Sequence, residues 1–185
     1  MTDTALLLID LQNAFLHPDG ENFYPAAPEV IDPCRALLEA AEAGGAIIVH
    51  VCDCHRPGFT DFEQLRLPEH GREGGFDAAF YEGFGPQGRP TEIQITKRRF
   101  SAFFATDLAL FLAEQGVKRV VIAGVKTNVC VRATATDAFG HGLEVKVVRE
   151  AVNSNRETLS AASLEDIDRY IGQVVDLETA KGLLS

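Results

Sequence analysis

Three residues of types suited to covalent catalysis each stand at or just beyond the end of a predicted strand. Asp10 follows Ala5–Ile9, and Lys97 follows Glu92–Thr96. Cys130 comes after Arg119–Ala123, across the turn Gly124-Val125-Lys126-Thr127-Asn128. An acid, a cation and a thiol can together perform nucleophilic catalysis. A cysteine attacks as its thiolate, and a nearby cation or helix N-terminus favours that form. Lys97 supplies positive charge, and Cys130 falls in the first turn of a predicted helix. Asp10 can accept the thiol proton and later activate water. Backbone N–H groups between Val125 and Cys130 can receive the oxyanion of a tetrahedral intermediate. Singly, each residue has a plainer reading: a turn aspartate, a small buried thiol, and a solvated basic run Lys97-Arg98-Arg99. Their coincidence at three strand ends favours catalysis.

The elements that must position them follow from the apolar pattern. Strands are predicted over Ala5–Ile9, Ala46–Val51, Glu92–Thr96, Arg119–Ala123, Glu144–Val148 and Gln173–Leu177. Helices are predicted over Pro28–Ala43, Thr106–Gln115, from Asn128 to Gly140 or Gly142, and Glu157–Tyr170. Continuous apolar strands alternating with helices indicate a parallel sheet covered on both faces. Right-handed crossovers then give a doubly wound, three-layer α/β/α fold on a six-stranded parallel sheet. Such sheets carry their sites at the carboxyl ends of the strands, where Asp10, Lys97 and Cys130 converge. The stretch from Cys52 to Pro90, rich in Gly, Pro and charge, is the exception; a loop that long is usually functional. No repeat or linker divides residues 1–185, so one domain is expected.

Composition narrows the partners. Twenty-seven acidic against 17 basic residues give a net charge of −10, the wrong sign for a nucleic-acid or anionic-membrane binder. No apolar run approaches the ~20 residues that span a bilayer. The start, Met1-Thr2-Asp3-Thr4, lacks a basic leader region. Four cysteines form no disulfide framework in a chain of this length, and a reducing cytoplasm is expected.

At these residues the sequence resembles the isochorismatase-like cysteine hydrolases, which include nicotinamidases, N-carbamoylsarcosine amidases and ureide hydrolases. Ala5–Phe15, with Ile9-Asp10-Leu11-Gln12-Asn13 at its centre, looks like the opening strand of that family. Thr96-Lys97-Arg98-Arg99-Phe100-Ser101 looks like its lysine segment. Ala123-Gly124-Val125-Lys126-Thr127-Asn128-Val129-Cys130-Val131 looks like its nucleophile turn. The resemblance implies a catalytic triad of Asp10, Lys97 and Cys130 and a thioester intermediate on Cys130. It implies a cis peptide between Val125 and Lys126, an oxyanion hole from the N–H groups of Lys126 and Cys130, and a homodimer or homotetramer. The implied substrate is a small amide of nicotinamide, carbamoyl or ureide type. The alternatives are isochorismatase-type hydrolysis of a vinyl ether, or an inactive member serving as a binding subunit; the complete triad favours amide chemistry.

No cofactor is required for the covalent chemistry. Nicotinamidases hold a metal through an Asp-x-His and a later His, and Asp53, His55 and His70 stand at about that interval. The types suit a Zn²⁺-like ion with open positions. Cys54 departs from the tryptophan usual between the first two ligands, and the plainer reading is a hydrogen-bonded loop pair with His70 on the surface. Phe15 and Phe103 are expected to wall the substrate pocket. His50 and Cys34 are expected in the core.

Overall fold

The apolar runs become six parallel strands in the computed structural model, which describes residues 3–185. They are β1 (Thr4–Ile9), β2 (Ile47–Asp53), β3 (Glu92–Lys97), β4 (Arg119–Val125), β5 (Glu144–Asn153) and β6 (Gln173–Val175). Their order across the sheet is β3-β2-β1-β4-β5-β6, and every pairing is parallel. The winding reverses between β1 and β4, and at such a switch point a crevice opens beyond the strand ends.

The helices are α1 (Asn13–Leu16), α2 (Ile31–Gly44), α3 (Leu108–Glu114), α4 (Arg132–Gly140), α5 (Glu157–Asp166) and α6 (Leu177–Leu184). Alternation along the strands sends side chains to opposite faces. Leu6 and Leu8 of β1, with Ile48, Val121 and Ala123, pack against Leu37, Leu38 and Ala41 of α2 and Ala180 and Leu184 of α6. Ala5, Leu7 and Ile9, with Val49, Val51 and Ile122, pack against Leu108 and Leu112 of α3 and Ala135 and Ala138 of α4. These two apolar clusters make the three layers. Helix α2 ends at Gly45 with φ of 68°, the left-handed turn that glycine adopts most easily.

Several boundaries differ from the sequence reading. β2 continues to Asp53, β3 includes Lys97, and β5 runs to Asn153 with a register shift opposite Ile122 and Gly124. Leu177 opens α6 instead of closing β6. The Asp176 side chain caps that helix, accepting from Thr179 N at 2.7 Å. This is a local N-cap signal that outweighs the apolar run before it.

The long connection after β2 is anchored to the sheet. It contains one turn of 3-10 helix, Phe62–Leu65, and a bridge between His55 and Arg72. The buried Gln12 side chain fastens it at the end of β1. Its Nε2 donates to the carbonyls of Asp53 (3.0 Å) and Ala78 (2.8 Å), and its Oε1 accepts from Asp53 N (2.8 Å). His50 and Cys34 are both buried. His50 lies 3.0 Å from Glu92 through Nε2, while its Nδ1 accepts from Gly85 N at 3.2 Å. Among the described residues no helix is long and apolar enough to cross a membrane.

Candidate active site

Four strand ends deliver the site. Asp10 follows β1 with φ of 52°, and its N–H donates to the Val51 carbonyl at 3.0 Å. Aspartate is among the few residues that tolerate this left-handed conformation. Close approach of β4 to β1 requires glycine at 124, where φ is 116° and an added Cβ would fall 2.1 Å from the Ile9 carbonyl oxygen. The peptide bond between Val125 and Lys126 is cis. Thr127–Val131 then forms a π-helical turn carrying Cys130 and leading into α4; such turns recur at functional sites.

Asp10, Lys97 and Cys130 come together, and all three are buried. The Lys97 ammonium lies 3.0 Å from Asp10 Oδ2 and 3.6 Å from Asp53 Oδ1, and it donates to Cys130 Sγ at 3.5 Å. Lys97 therefore does not share the exposure expected of a basic run, because strand alternation turns it inward. Among the described residues neither Asp10 carboxylate oxygen has a hydrogen-bond donor in good geometry. The lysine holds Asp10 by charge, and lone pairs remain open to a proton.

Burial raises the Asp10 carboxyl to about 6, against the opposing pull of Lys97. Burial acts to lower the Lys97 pKa, but Asp10, Cys130 and Asp53 together hold it well above its ordinary value. The Cys130 thiol differs from the sequence expectation of a lowered pKa. Burial and the Asp10 charge outweigh Lys97 and push it well above the usual thiol range. The resting site is thus a carboxylate, an ammonium and a thiol.

Beside this trio, Asp53, His55, Glu63 and His70 bring four ligand atoms within 4.8 Å of one another. His55 Nε2 lies 3.4 Å from Asp53 Oδ1, and His70 Nε2 lies 3.5 Å from Asp53 Oδ2 and 3.7 Å from Glu63 Oε2. The other imidazole nitrogens are engaged outward, His55 Nδ1 with Asp61 Oδ2 at 2.7 Å and His70 Nδ1 with the Pro68 carbonyl at 2.8 Å. Backing of this kind aims the free nitrogen at a metal. Among the described residues Asp53 Oδ1, His55 Nε2 and both Glu63 carboxylate oxygens are buried without hydrogen bonds. The Asp53 contact is the largest cause raising the pKa of both imidazoles, joined by Asp61 at His55 and by Glu63 at His70, whose pKa is raised to about 9. The donor set, with its orphaned atoms, fits a transition-metal dication. His70 is not the surface residue of the plainer reading.

A cavity of about 710 Å³ opens over Cys130, lined among others by Phe15, Asn22, His70, Phe100 and Lys126. Phe103 is absent from its wall. That ring is buried in the apolar cluster beneath α3 and α4, 5.2 Å from the His141 ring, and Phe100 faces the cavity instead. Sequence reasoning also missed Glu63 and Asp61. The only signal was their position as acids between His55 and His70, in a loop without periodicity.

A doubly wound sheet with an acid, a lysine and a cysteine near its switch point defines an α/β protein with a strand-end site equipped for nucleophilic chemistry. The chain belongs to the isochorismatase family: that family's domain model matches residues 4–179. It is 36% identical over 181 residues to a maleamate amidohydrolase of Pseudomonas putida, covering 95% of this chain and 84% of that protein. An isochorismatase-like hydrolase of Alkaliphilus metalliredigens superposes with a TM-score of 0.90 at 29% identity, covering 98% of this chain and 99% of that one. A pyrazinamidase of Pyrococcus horikoshii in complex with zinc does so with a TM-score of 0.85 at 31% identity, covering 94% and 99%.

Proposed function

We propose that this protein is a cysteine amidohydrolase that splits a small amide through a thioester on Cys130. One observation carries the reading. The Lys97 ammonium bridges Asp10 Oδ2 at 3.0 Å and Cys130 Sγ at 3.5 Å, all three buried, with Cys130 on the wall of an open cavity. The likeness to a maleamate amidohydrolase supports amide chemistry.

Asp10, ionised at neutral pH, takes the thiol proton as the sulfur attacks the amide carbon. The carbon–sulfur bond forms, and the carbonyl oxygen, now an oxyanion, rests on the N–H groups of Lys126 and Cys130. Protonated Asp10 gives its proton to the amide nitrogen, the carbon–nitrogen bond breaks, and ammonia or an amine leaves. Asp10 then draws a proton from water, which attacks the thioester. The carbon–sulfur bond breaks, the acid product departs, and Asp10 returns its proton to sulfur. Lys97 keeps Asp10 ionised and offsets the charge forming on sulfur. Asp53, His55, Glu63 and His70 would hold a Zn²⁺-like ion, which supplies Lewis-acid polarisation beside the cavity when bound.

Mass spectrometry of protein quenched during turnover tests this. An acyl adduct on Cys130, absent from Cys130→Ala, is the expected result. Vinyl ether hydrolysis without an adduct would replace the amidase reading. Retention of more than a few per cent of activity by Cys130→Ala would overturn the covalent route.

A further inference from the structure

Lys126 carries a positive charge that neither the fold nor the covalent chemistry uses. Its ammonium lies over the rings of Phe15 and Tyr24, 5.6 and 5.4 Å from their centroids. Tyr24 is held in place by its hydroxyl, 2.7 Å from Asn153 Oδ1. Among the described residues no carboxylate forms an ion pair with Lys126. The other cations at or beside the cavity are already engaged, while the acids Glu69 and Asp137 also stand on its wall. Arg132 pairs with Asp166 at 2.9 Å, Lys97 with Asp10 and Asp53, and Glu21 Oε1 accepts from Gly71 N at 2.6 Å. A half-buried ammonium on an aromatic bed, facing a cavity and lacking a counter-ion, matches an anion that arrives with the ligand. One free ammonium suits a single carboxylate; a phosphate dianion calls for more donors.

We propose that Lys126 anchors a carboxylate borne by the substrate, so that the enzyme acts on short amido acids, the half-amides of dicarboxylic acids, in preference to neutral amides. This rests on the amidohydrolase reading. The spacing favours a short substrate. Lys126 opens the turn that carries Cys130, and both line the same cavity. A substrate that reaches both groups across that turn is short. Lys126 would serve twice, its N–H at the oxyanion and its side chain at the far end of the substrate.

The test uses isosteric pairs, succinamate against butanamide and maleamate against (Z)-but-2-enamide, with ammonia release giving kcat and KM. The wild type should favour the anion of each pair by on the order of 10²-fold in kcat/KM. Lys126→Met should cut that preference at least ~10-fold, chiefly through KM, and Lys126→Arg should restore part of it. A neutral amide favoured by the wild type, or an anion preference unchanged in Lys126→Met, overturns the anchor and leaves the amidohydrolase reading standing. If no amide releases ammonia, that reading fails. Calorimetry of maleate binding to EDTA-treated protein then decides the anchor separately. Binding to the wild type that is lost in Lys126→Met supports it. Equal binding to both, or none to the wild type, overturns it.

Discussion

Gly124 and Ile9 meet at the switch point with no room for a side chain between them: a Cβ on residue 124 would lie 2.1 Å from the Ile9 carbonyl oxygen. That carbonyl directly precedes Asp10, and Gly124 opens the segment that carries Cys130. Gly124→Ala should therefore force the two strand ends apart. A cost of at least ~2 kcal/mol is expected, lowering the melting temperature by roughly 4–8 °C. A shift of about 1 Å between Asp10 and Cys130, the proposed base and nucleophile, should also lower kcat/KM on the order of 10²-fold. Thermal melts and kinetics on the same preparation check both. A variant with wild-type melting and turnover would show that the contact relaxes freely.

Asp10 and Lys97 should behave as one unit. Asp10→Asn removes the proposed base with little change of shape, and a loss on the order of 10²-fold or more is expected. Lys97→Met leaves Asp10 and Asp53 buried without their shared cation, 3.0 and 3.6 Å away in the wild type, so it should weaken both folding and turnover. The double variant should cost little more in kcat/KM than the worse single one. Multiplicative losses would mean that the residues act separately.

The acid limb of the pH profile should belong to Asp10. Its carboxyl is raised to about 6 by burial, and the proposed mechanism uses it as the carboxylate. Activity should therefore be full well above pH 6 and fall as the pH drops through 6, about tenfold per unit below it. Stopped assays of kcat/KM from pH 4 to 8 read the limb directly. A profile flat down to pH 4.5 would assign the base elsewhere.

The Asp53, His55, Glu63 and His70 cluster should bind close to one equivalent of a transition metal. Elemental analysis of protein prepared without a histidine tag measures it. Glu63→Gln and His70→Ala should weaken binding in chelator competition. Asp61 backs the outer nitrogen of His55 at 2.7 Å and also accepts from Glu63 N and Arg99, so Asp61→Asn should weaken binding about 10–100-fold. Metal-free protein with unaltered activity in EDTA would separate this cluster from the reaction.

Much of this architecture was legible because strands and their ends leave periodic signals. The apolar runs of β1 and β4 and the strand pattern of β3 each end beside a candidate catalytic residue, so Asp10, Lys97 and the Cys130 turn could be placed on one sheet edge. Glu63 could not be placed, because its position depends on how a 3-10 turn folds back over β2, and nothing periodic marks that path. Phe103 was assigned to the wrong side for a related reason. Beyond β3 the chain leaves the alternation of a strand, so spacing from Lys97 no longer tells which ring faces the cavity. The elevated thiol pKa of Cys130 was hidden too, since it depends on burial and on the distance to Asp10 rather than on neighbours in sequence.

Gln12 has a kinetic consequence. Its side chain fastens the ends of β1 and β2 to the Ala78 carbonyl of the long connection through three hydrogen bonds among buried groups. Where these bonds hold, the connection moves only if the floor beneath it moves as well. Ligand capture should then be a single-step encounter with a preformed recess. Observed binding rates should rise linearly with ligand concentration and show no plateau from a slow closing motion.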